Sequence, residues 1–315
     1  MDSVEYSYLK TGVISVIIVG NIAMNSLLIV VLTKNAELRE DRTALFILSL
    51  ALGDLFSGLT VFPISAAVCS NATPSVRHMT SYLPRVNMAF LATSGFVCMH
   101  SQAWVALSKM VSITKPLRYD ALLSRGRCYC VIASIWIVGV VVGVGSTSLH
   151  SDTWNTDMCT NRVPKNDTGV SIFALVYYAA AIIIPEVVLI YATARIFIIV
   201  ARAHKQVAAQ ELSVHGSASA SASASGTVTL KAVRSSSKIL VICFVALGLT
   251  APMFVHMVLR YIVNDGHIVA AFAFTALWVY SCSSFLNSLM YVVLHRSIRR
   301  KVQLMLIGMH ESCRR

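Results

Sequence analysis

The sequence predicts an all-α fold: a seven-transmembrane helix bundle with an extracellular amino terminus and a short amphipathic helix lying in the interface after the last span. Three observations predict it. Seven apolar stretches, at roughly 12–33, 43–68, 86–108, 129–149, 170–194, 239–260 and 268–294, each supply the ~20 residues a helix needs to cross a bilayer core. Basic residues crowd the loops on one side of those stretches. Both N-x-S/T acceptors fall in loops on the other side.

Composition agrees. Of 315 residues, 56% are hydrophobic and only 13% charged, and the mean hydropathy is +0.70. Soluble domains carry about a quarter charged residues. The spans consume more than half the chain and leave no room for a soluble catalytic domain. A net charge of +12 invites a nucleic-acid reading, but its distribution excludes one. Twenty of the 26 Lys and Arg residues lie in segments 34–42, 109–127, 195–238 and 296–315. The other six are Lys10, Arg77, Arg85, Arg162, Lys165 and Arg260. That split is the positive-inside bias, and it puts the basic side in the cytoplasm and the amino terminus outside. The acceptors Asn71 (Asn71-Ala-Thr73) and Asn166 (Asn166-Asp-Thr168) are then extracellular and candidates for glycosylation.

Taken in order, residues 1–11 form a short extracellular segment whose Asp2 and Glu5 do not suit a signal peptide, so the first span inserts itself. The membrane-spanning body runs from 12 to 294. Its longest outside connection, 150–168, contains Trp154 and Cys159. Its longest inside connection, 201–234, contains the Ser/Ala run Gly216–Gly226, which cannot bury apolar surface and reads as a flexible tether. After the last span, the 295–315 tail places Ile298, Val302 and Met305 at helical spacing among Arg299, Arg300, Lys301 and Gln303. A basic amphipathic helix of this kind lies along the lipid surface. Most of the eight cysteines sit in or beside spans, and only Cys69 and Cys159 fall outside, where oxidation is permitted. No internal hydropathy repeat suggests the paired halves of a transporter.

Charge in hydrocarbon costs at least ~2.5 kcal/mol, so each ionisable residue inside a span asks for a reason. Asp54 in the second span has company in Asn21 of the first span and Ser283, Ser284 and Asn287 of the seventh. A carboxylate ringed by amides and hydroxyls fixes helix packing and is a candidate holder for a proton or a small cation such as sodium. Lys109 ends the third span. Glu186, beside Pro185 in the fifth, has no partner that the sequence identifies. Arg195 lies near the inner end of the fifth span and can snorkel to the interface. No nucleophile–base pair, metal-ligand cluster or phosphate-cradling glycine loop is present: His78, His100, His150 and His256 are scattered, and no enzyme is expected.

The same residues carry a family likeness. Gly20-Asn21, Leu50-Ala-Leu-Gly-Asp54-Leu55, Trp136, Pro185, Pro252 and Asn287-Ser-Leu-Met-Tyr291 stand in successive spans, and Val111-Ser-Ile-Thr-Lys-Pro116-Leu-Arg-Tyr119 follows the third. The chain therefore resembles a divergent rhodopsin-like (class A) G-protein-coupled receptor from about residue 12 to 308. The resemblance implies a ligand pocket in the outer half of the bundle, lined by Leu91, Gly95, Tyr177, Tyr178, Met253, Phe254, Met257 and Ser281. It also implies a coupling face for a heterotrimeric G protein or arrestin at the inner end, with Ser108, Lys109, Met110 and Tyr291 in the key places.

Several positions depart from the family pattern. Ser108-Lys109-Met110 replaces Asp-Arg-Tyr, so the basic residue loses both the planar fork of arginine and its acidic neighbour. Thr250 stands where a tryptophan is usual, and Ser288 replaces the proline of the seventh-span motif. Pro84 is near the place of the cysteine expected at the outer end of the third span, which leaves Cys159 to pair with Cys69. Leu91 replaces the aspartate that amine receptors of this family use, and residues 268–294 contain no lysine for a retinal Schiff base. The expected ligand is a small non-amine organic molecule in an apolar, aromatic cavity. The altered motifs also motivate a second reading: a receptor-like protein that has lost ordinary G-protein coupling and serves as a scaffold or partner subunit.

Overall fold

The computed structural model describes residues 3–69, 83–149, 179–214, 240–256 and 266–313, together with 176, 238 and 259. The described residues are helical almost throughout. The first span is α1 (Ser3–Lys34) and a short α2 (Ala36–Glu40) follows it. The second span is α3 (Arg42–Leu59) continued by α4 (Val61–Cys69). The third is α5 (Leu83–Thr114), and a 3-10 turn (Pro116–Arg118) and α6 (Tyr119–Leu122) lead into the fourth, α7 (Arg125–Leu149). A π-helical turn (Ala179–Ile183) opens α8 (Ile184–Val214), the fifth. The sixth is α9 (Leu240–His256), the seventh is α10 (Gly266–Leu294), and α11 (Arg296–Cys313) runs on from it.

Helix α5 is the hub, packed against α3, α4, α7 and α8, while α1 closes the ring by touching α3 and α10. Central placement explains its sequence. It carries polar residues along its length because its hydroxyls and amides face protein: Asn87, Ser94, Ser101 and Ser108 are all buried. The lipid-facing helices show the converse. Val16, Val19, Ile137, Val141 and Val144 are at least 60% exposed, as expected where the solvent of the outer face is hydrocarbon. Gly12–Lys34, Arg42–Ser65, Arg125–Ser146 and Ala179–Ala203 are long and apolar enough to cross a membrane, and Leu240–His256 and Trp278–Leu294 are shorter apolar helices.

Four local features differ from the expected stretches. The second span is broken at Thr60 (φ −121°, ψ −66°), because Pro63 lacks an N–H and its ring clashes with the carbonyl four residues back. Thr60 compensates by donating both its N–H and its hydroxyl to the Phe56 carbonyl, at 3.0 and 2.6 Å. Pro185 has the corresponding effect on the fifth span, where the preceding turn widens to a π turn. The expected tether from 201 is helical as far as Val214, since its Ala, Lys, Gln and Glu residues are strong helix formers. The Gly216–Gly226 run lies outside the described residues. Helix α1 likewise starts at Ser3, well before the expected edge of the span.

The tail is helical over Arg296–Cys313 and turns its apolar face to the bundle. Ile298 and Val302 are buried, and Met305 packs against the same core as Leu28, Phe46 and Tyr291, while Arg299 and Arg300 are exposed. Cys98, Cys128, Cys130, Cys243 and Cys282 are free thiols. Cys69 ends α4, but its side chain and Cys159 lie outside the described residues, as do Asn71 and Asn166.

Close approach of α1 to the second span needs Gly58, where a Cβ would collide with the Asn21 carboxamide. Gly58→Ala should lower the melting temperature of the detergent-solubilised protein, at a cost of about 1–3 kcal/mol. Gly248→Ala in α9, where nothing lies within 4 Å of the added carbon, should leave it unchanged or raise it slightly.

Candidate functional site

Among the described residues, buried polar side chains gather within the bundle and again at its basic end. The first group begins with Asn21 and Asn25, both fully buried on α1. Asn25 Nδ2 donates to the Ser284 carbonyl of α10 at 3.1 Å and to the Asn21 carbonyl at 2.9 Å. Its Oδ1 accepts from the Ser288 hydroxyl. The serine that replaces the family's proline is therefore a cross-span tie. Asp54, 2% exposed, accepts a hydrogen bond from Cys98 Sγ of α5 at 3.3 Å, and Ser284 lies beside it. Its Oδ2 and the Nδ2 of Asn21 are buried without a hydrogen bond among the described residues. Asn287 is buried here too, whereas the Ser283 hydroxyl turns back to the Tyr280 carbonyl of its own helix at 2.6 Å.

Glu186 and Thr250, unexplained apart, explain each other. The Thr250 hydroxyl lies 2.9 Å from Glu186 Oε1 and 3.1 Å from Oε2, joining the fifth span to the sixth. The position that departs from tryptophan is thus occupied by a partner for the buried acid. On the far side of α5, Ser49 lies 2.9 Å from Ser101 and accepts from Trp136 Nε1 at 3.1 Å, which ties the second, third and fourth spans together.

At the basic end, Ser108 is fully buried in a triangle of hydroxyls. It stands 2.9 Å from Thr43 and 3.0 Å from Tyr119, which are 3.3 Å from each other. Lys109 has lost its acidic neighbour in sequence but has an acidic neighbour in space: its Nζ reaches Asp41 Oδ2 at 3.5 Å. Asp41 serves twice, since its Oδ1 caps α3 by accepting from the Thr43 N–H at 2.9 Å. Met110 packs on Leu189 and Ala192 of α8 and on Cys243 of α9. Tyr291 is buried in the main core. His295, at the junction of α10 and α11, has a buried Nδ1 with no hydrogen bond among the described residues. Burial pushes it below its ordinary value of 6.5, the Lys109 charge pushes it further down, and Asp41 opposes both.

The predicted outer pocket is only partly described. Leu91, Gly95 and Met253 are half-buried, Phe254 is exposed and Ser281 is buried, while Tyr177, Tyr178 and Met257 lie outside the described residues. Four functional groupings were missed in the sequence: Asn25, Asp41, Cys98 and the Glu186–Thr250 pair. Asn25 had a signal, one helical turn after Asn21. Asp41 had only the weak one of an acid just before an apolar helix.

The depressed value of His295 has a sign. Below 6.5 the unfolded chain takes up a proton that the folded protein resists, so stability is complete above that value and falls as pH drops below it. The melting temperature should therefore fall between pH 7.5 and 5.5, and His295→Gln should flatten that dependence. An unaltered slope in the variant would remove His295 from the account.

Residues 24–291 match the family described as 7 transmembrane receptor (rhodopsin family). The chain is 28% identical over 307 residues to the histamine H2 receptor of Canis lupus familiaris, covering 96% of this chain and 80% of that one. It is 25% identical over 305 residues to the Homo sapiens histamine H2 receptor, with the same shares covered. A third relative, the Homo sapiens probable G-protein coupled receptor 21, is 25% identical over 170 residues, which is 50% of this chain and 48% of that one. With seven spans in order and the family matched across most of its length, this chain belongs to the rhodopsin family of seven-transmembrane receptors.

Proposed function

We propose that this receptor binds a small non-amine organic ligand in the outer half of its bundle and passes the signal to a heterotrimeric G protein, or to arrestin, at its basic end. In this reading the amino terminus is outside and the basic end is in the cytoplasm. The observation that carries the coupling half is the Lys109–Asp41 ion pair. It holds the third span to the start of the second through a contact that can be made or broken, as a two-packing equilibrium requires. Lys109 is a compact cation on a flexible stem, and once released it is free to meet a partner docking between the third, fifth and sixth spans. The Ser108–Thr43–Tyr119 triangle keeps the following loop in register meanwhile.

The ligand half rests on Leu91. Two of the relatives are named for an amine, histamine, but an apolar side chain at 91 offers an ammonium no counter-charge, and a buried unpaired charge is costly. A hydrated sodium ion near Asp54 fits the two unsatisfied atoms there: Oδ2 would take the cation, and a water on it would accept from Asn21 Nδ2.

The test is nucleotide exchange in membranes holding the wild-type receptor, Asp41→Asn or Lys109→Arg. Asp41→Asn keeps the helix cap but discharges the pair, and should raise ligand-independent exchange several-fold. Exchange at the wild-type level would show that the pair does not restrain the receptor. Lys109→Arg should couple at least as well as lysine. Silence in the wild type with activity in the arginine variant would favour the second reading, a receptor-like protein that has lost ordinary coupling. In the same assay histamine should be inert on the wild type, and a histamine response would overturn the non-amine assignment. Sodium should raise the melting temperature of the wild type and have no effect on Asp54→Asn.

A further inference from the structure

A cleft of about 360 Å³ opens on the outer surface of the bundle, between the end of α1, α2, the start of α3 and the start of α7. Its buried lining is apolar, with Leu32, Leu38, Ala44 and Leu45 at the bottom, and the half-exposed Tyr129 stands at one side. Its rim carries Arg39, Glu40 and Arg125. Three candidate membrane spans end around it, at Lys34, Arg42 and Arg125, so it sits at the level where hydrocarbon gives way to headgroups. Three of the neighbouring charged residues, Arg42, Glu37 and Arg127, are engaged elsewhere. Arg42 pairs with Asp120 at 3.1 Å, Glu37 with Lys301 at 3.8 Å, and Arg127 donates to the Ala121 and Leu122 carbonyls. Arg125 Nη2 donates to the Arg39 carbonyl at 2.9 Å, which fixes its guanidinium across the mouth of the cleft. Arg39 is exposed, and its side chain makes no hydrogen bond or ion pair among the described residues.

We propose that this cleft binds an anionic phospholipid with a phosphoserine headgroup. Two guanidinium groups and one carboxylate match the phosphate, carboxylate and ammonium of that headgroup in number and sign. Arginine suits both oxyanions because its planar donors pair with them two at a time. The space is that of about a dozen waters, which accommodates a headgroup and the first carbons of a chain, and the rest of the acyl chain continues along the exposed apolar surface of the bundle. The source is the lipid leaflet, because the apolar floor would go unused by a free phosphoamino acid. The proposal rests on the orientation given above, since anionic lipid is concentrated in the cytoplasmic leaflet.

The test is native mass spectrometry of the full chain from micelles mixed with phosphatidylserine, phosphatidylglycerol or phosphatidylcholine. Both faces meet lipid in that experiment, so it reads the cleft whatever the orientation, which an accessible amino-terminal tag checks separately. The wild type should retain phosphatidylserine over phosphatidylcholine by about 25-fold, at roughly fivefold for each of the two arginines near the surface. Arg39→Gln, which breaks no described contact, should lose about fivefold of that, and Arg39→Gln with Arg125→Gln should lose all of it. Arg125→Lys should restore most of the retention. Glu40→Gln should erase the preference for phosphatidylserine over phosphatidylglycerol while keeping the preference over phosphatidylcholine. Removing the same charge from α11, by Arg299→Gln with Arg300→Gln, should change nothing. An equal loss in that control would assign the binding to the basic face as a whole and overturn the site. Equal retention of phosphatidylserine and phosphatidylglycerol by the wild type would overturn the headgroup assignment.

Discussion

Everything in this bundle depends on one constraint: a polar side chain surrounded by hydrocarbon must find its partner inside the protein. The helices therefore meet at polar contacts. Asn25 ties the first span to the seventh, Asp54 and Cys98 meet between the second and third, and Ser49 draws in the third and fourth through Ser101 and Trp136. Glu186 and Thr250 join the fifth to the sixth. Helix α5, which packs on most of the other spans, takes part in the ties that reach the second and fourth. Apolar packing fills the space between them without choosing a register, since lipid tails are as apolar as leucine.

The energetics suit a protein that works by changing its packing. A hydrogen bond between membrane helices contributes about 0.6 kcal/mol on average, too little for any one to lock the fold. Leaving its members buried and unpaired costs more, so the helices prefer discrete arrangements in which partners are matched. Bistable contacts of that kind let a small differential affinity at one end shift the population seen at the other. Asp41 concentrates this logic in one side chain, capping α3 with one oxygen and holding Lys109 with the other. What happens to Lys109 is thereby felt at the first turn of the second span.

The departures from the family pattern are coupled substitutions with partners elsewhere in the chain. Ser108 exchanges a carboxylate for a hydroxyl and is matched by Thr43 and Tyr119. Thr250 exchanges an indole for a hydroxyl and is matched by Glu186. Ser288 exchanges a ring for a donor and is matched by Asn25. Each change read singly suggests a missing switch part, and read with its partner it is a satisfied group in a different network. That distinction was invisible along the chain, where the partners stand 11 to 263 positions apart.

Hydropathy, loop charge and the order of the motif residues determined the number of spans, the amphipathic tail and the family, because each is a property of a contiguous segment or its composition. Local chemistry also accounts for the break after Leu59 and the widened turn before Pro185, once the prolines are weighed. The extension of α8 to Val214 needed helix propensity to be set against proximity to a low-complexity run. Only the tertiary structure decided which acid faces Lys109, what Glu186 bonds, that Ser283 turns away from the knot its neighbour joins, and that two arginines and a glutamate rim one cleft. The physical reason is the same in every case. A span's existence is set by transfer of its own residues into hydrocarbon, whereas a side chain's partner is set by helix rotation and depth, which all the neighbouring helices fix together.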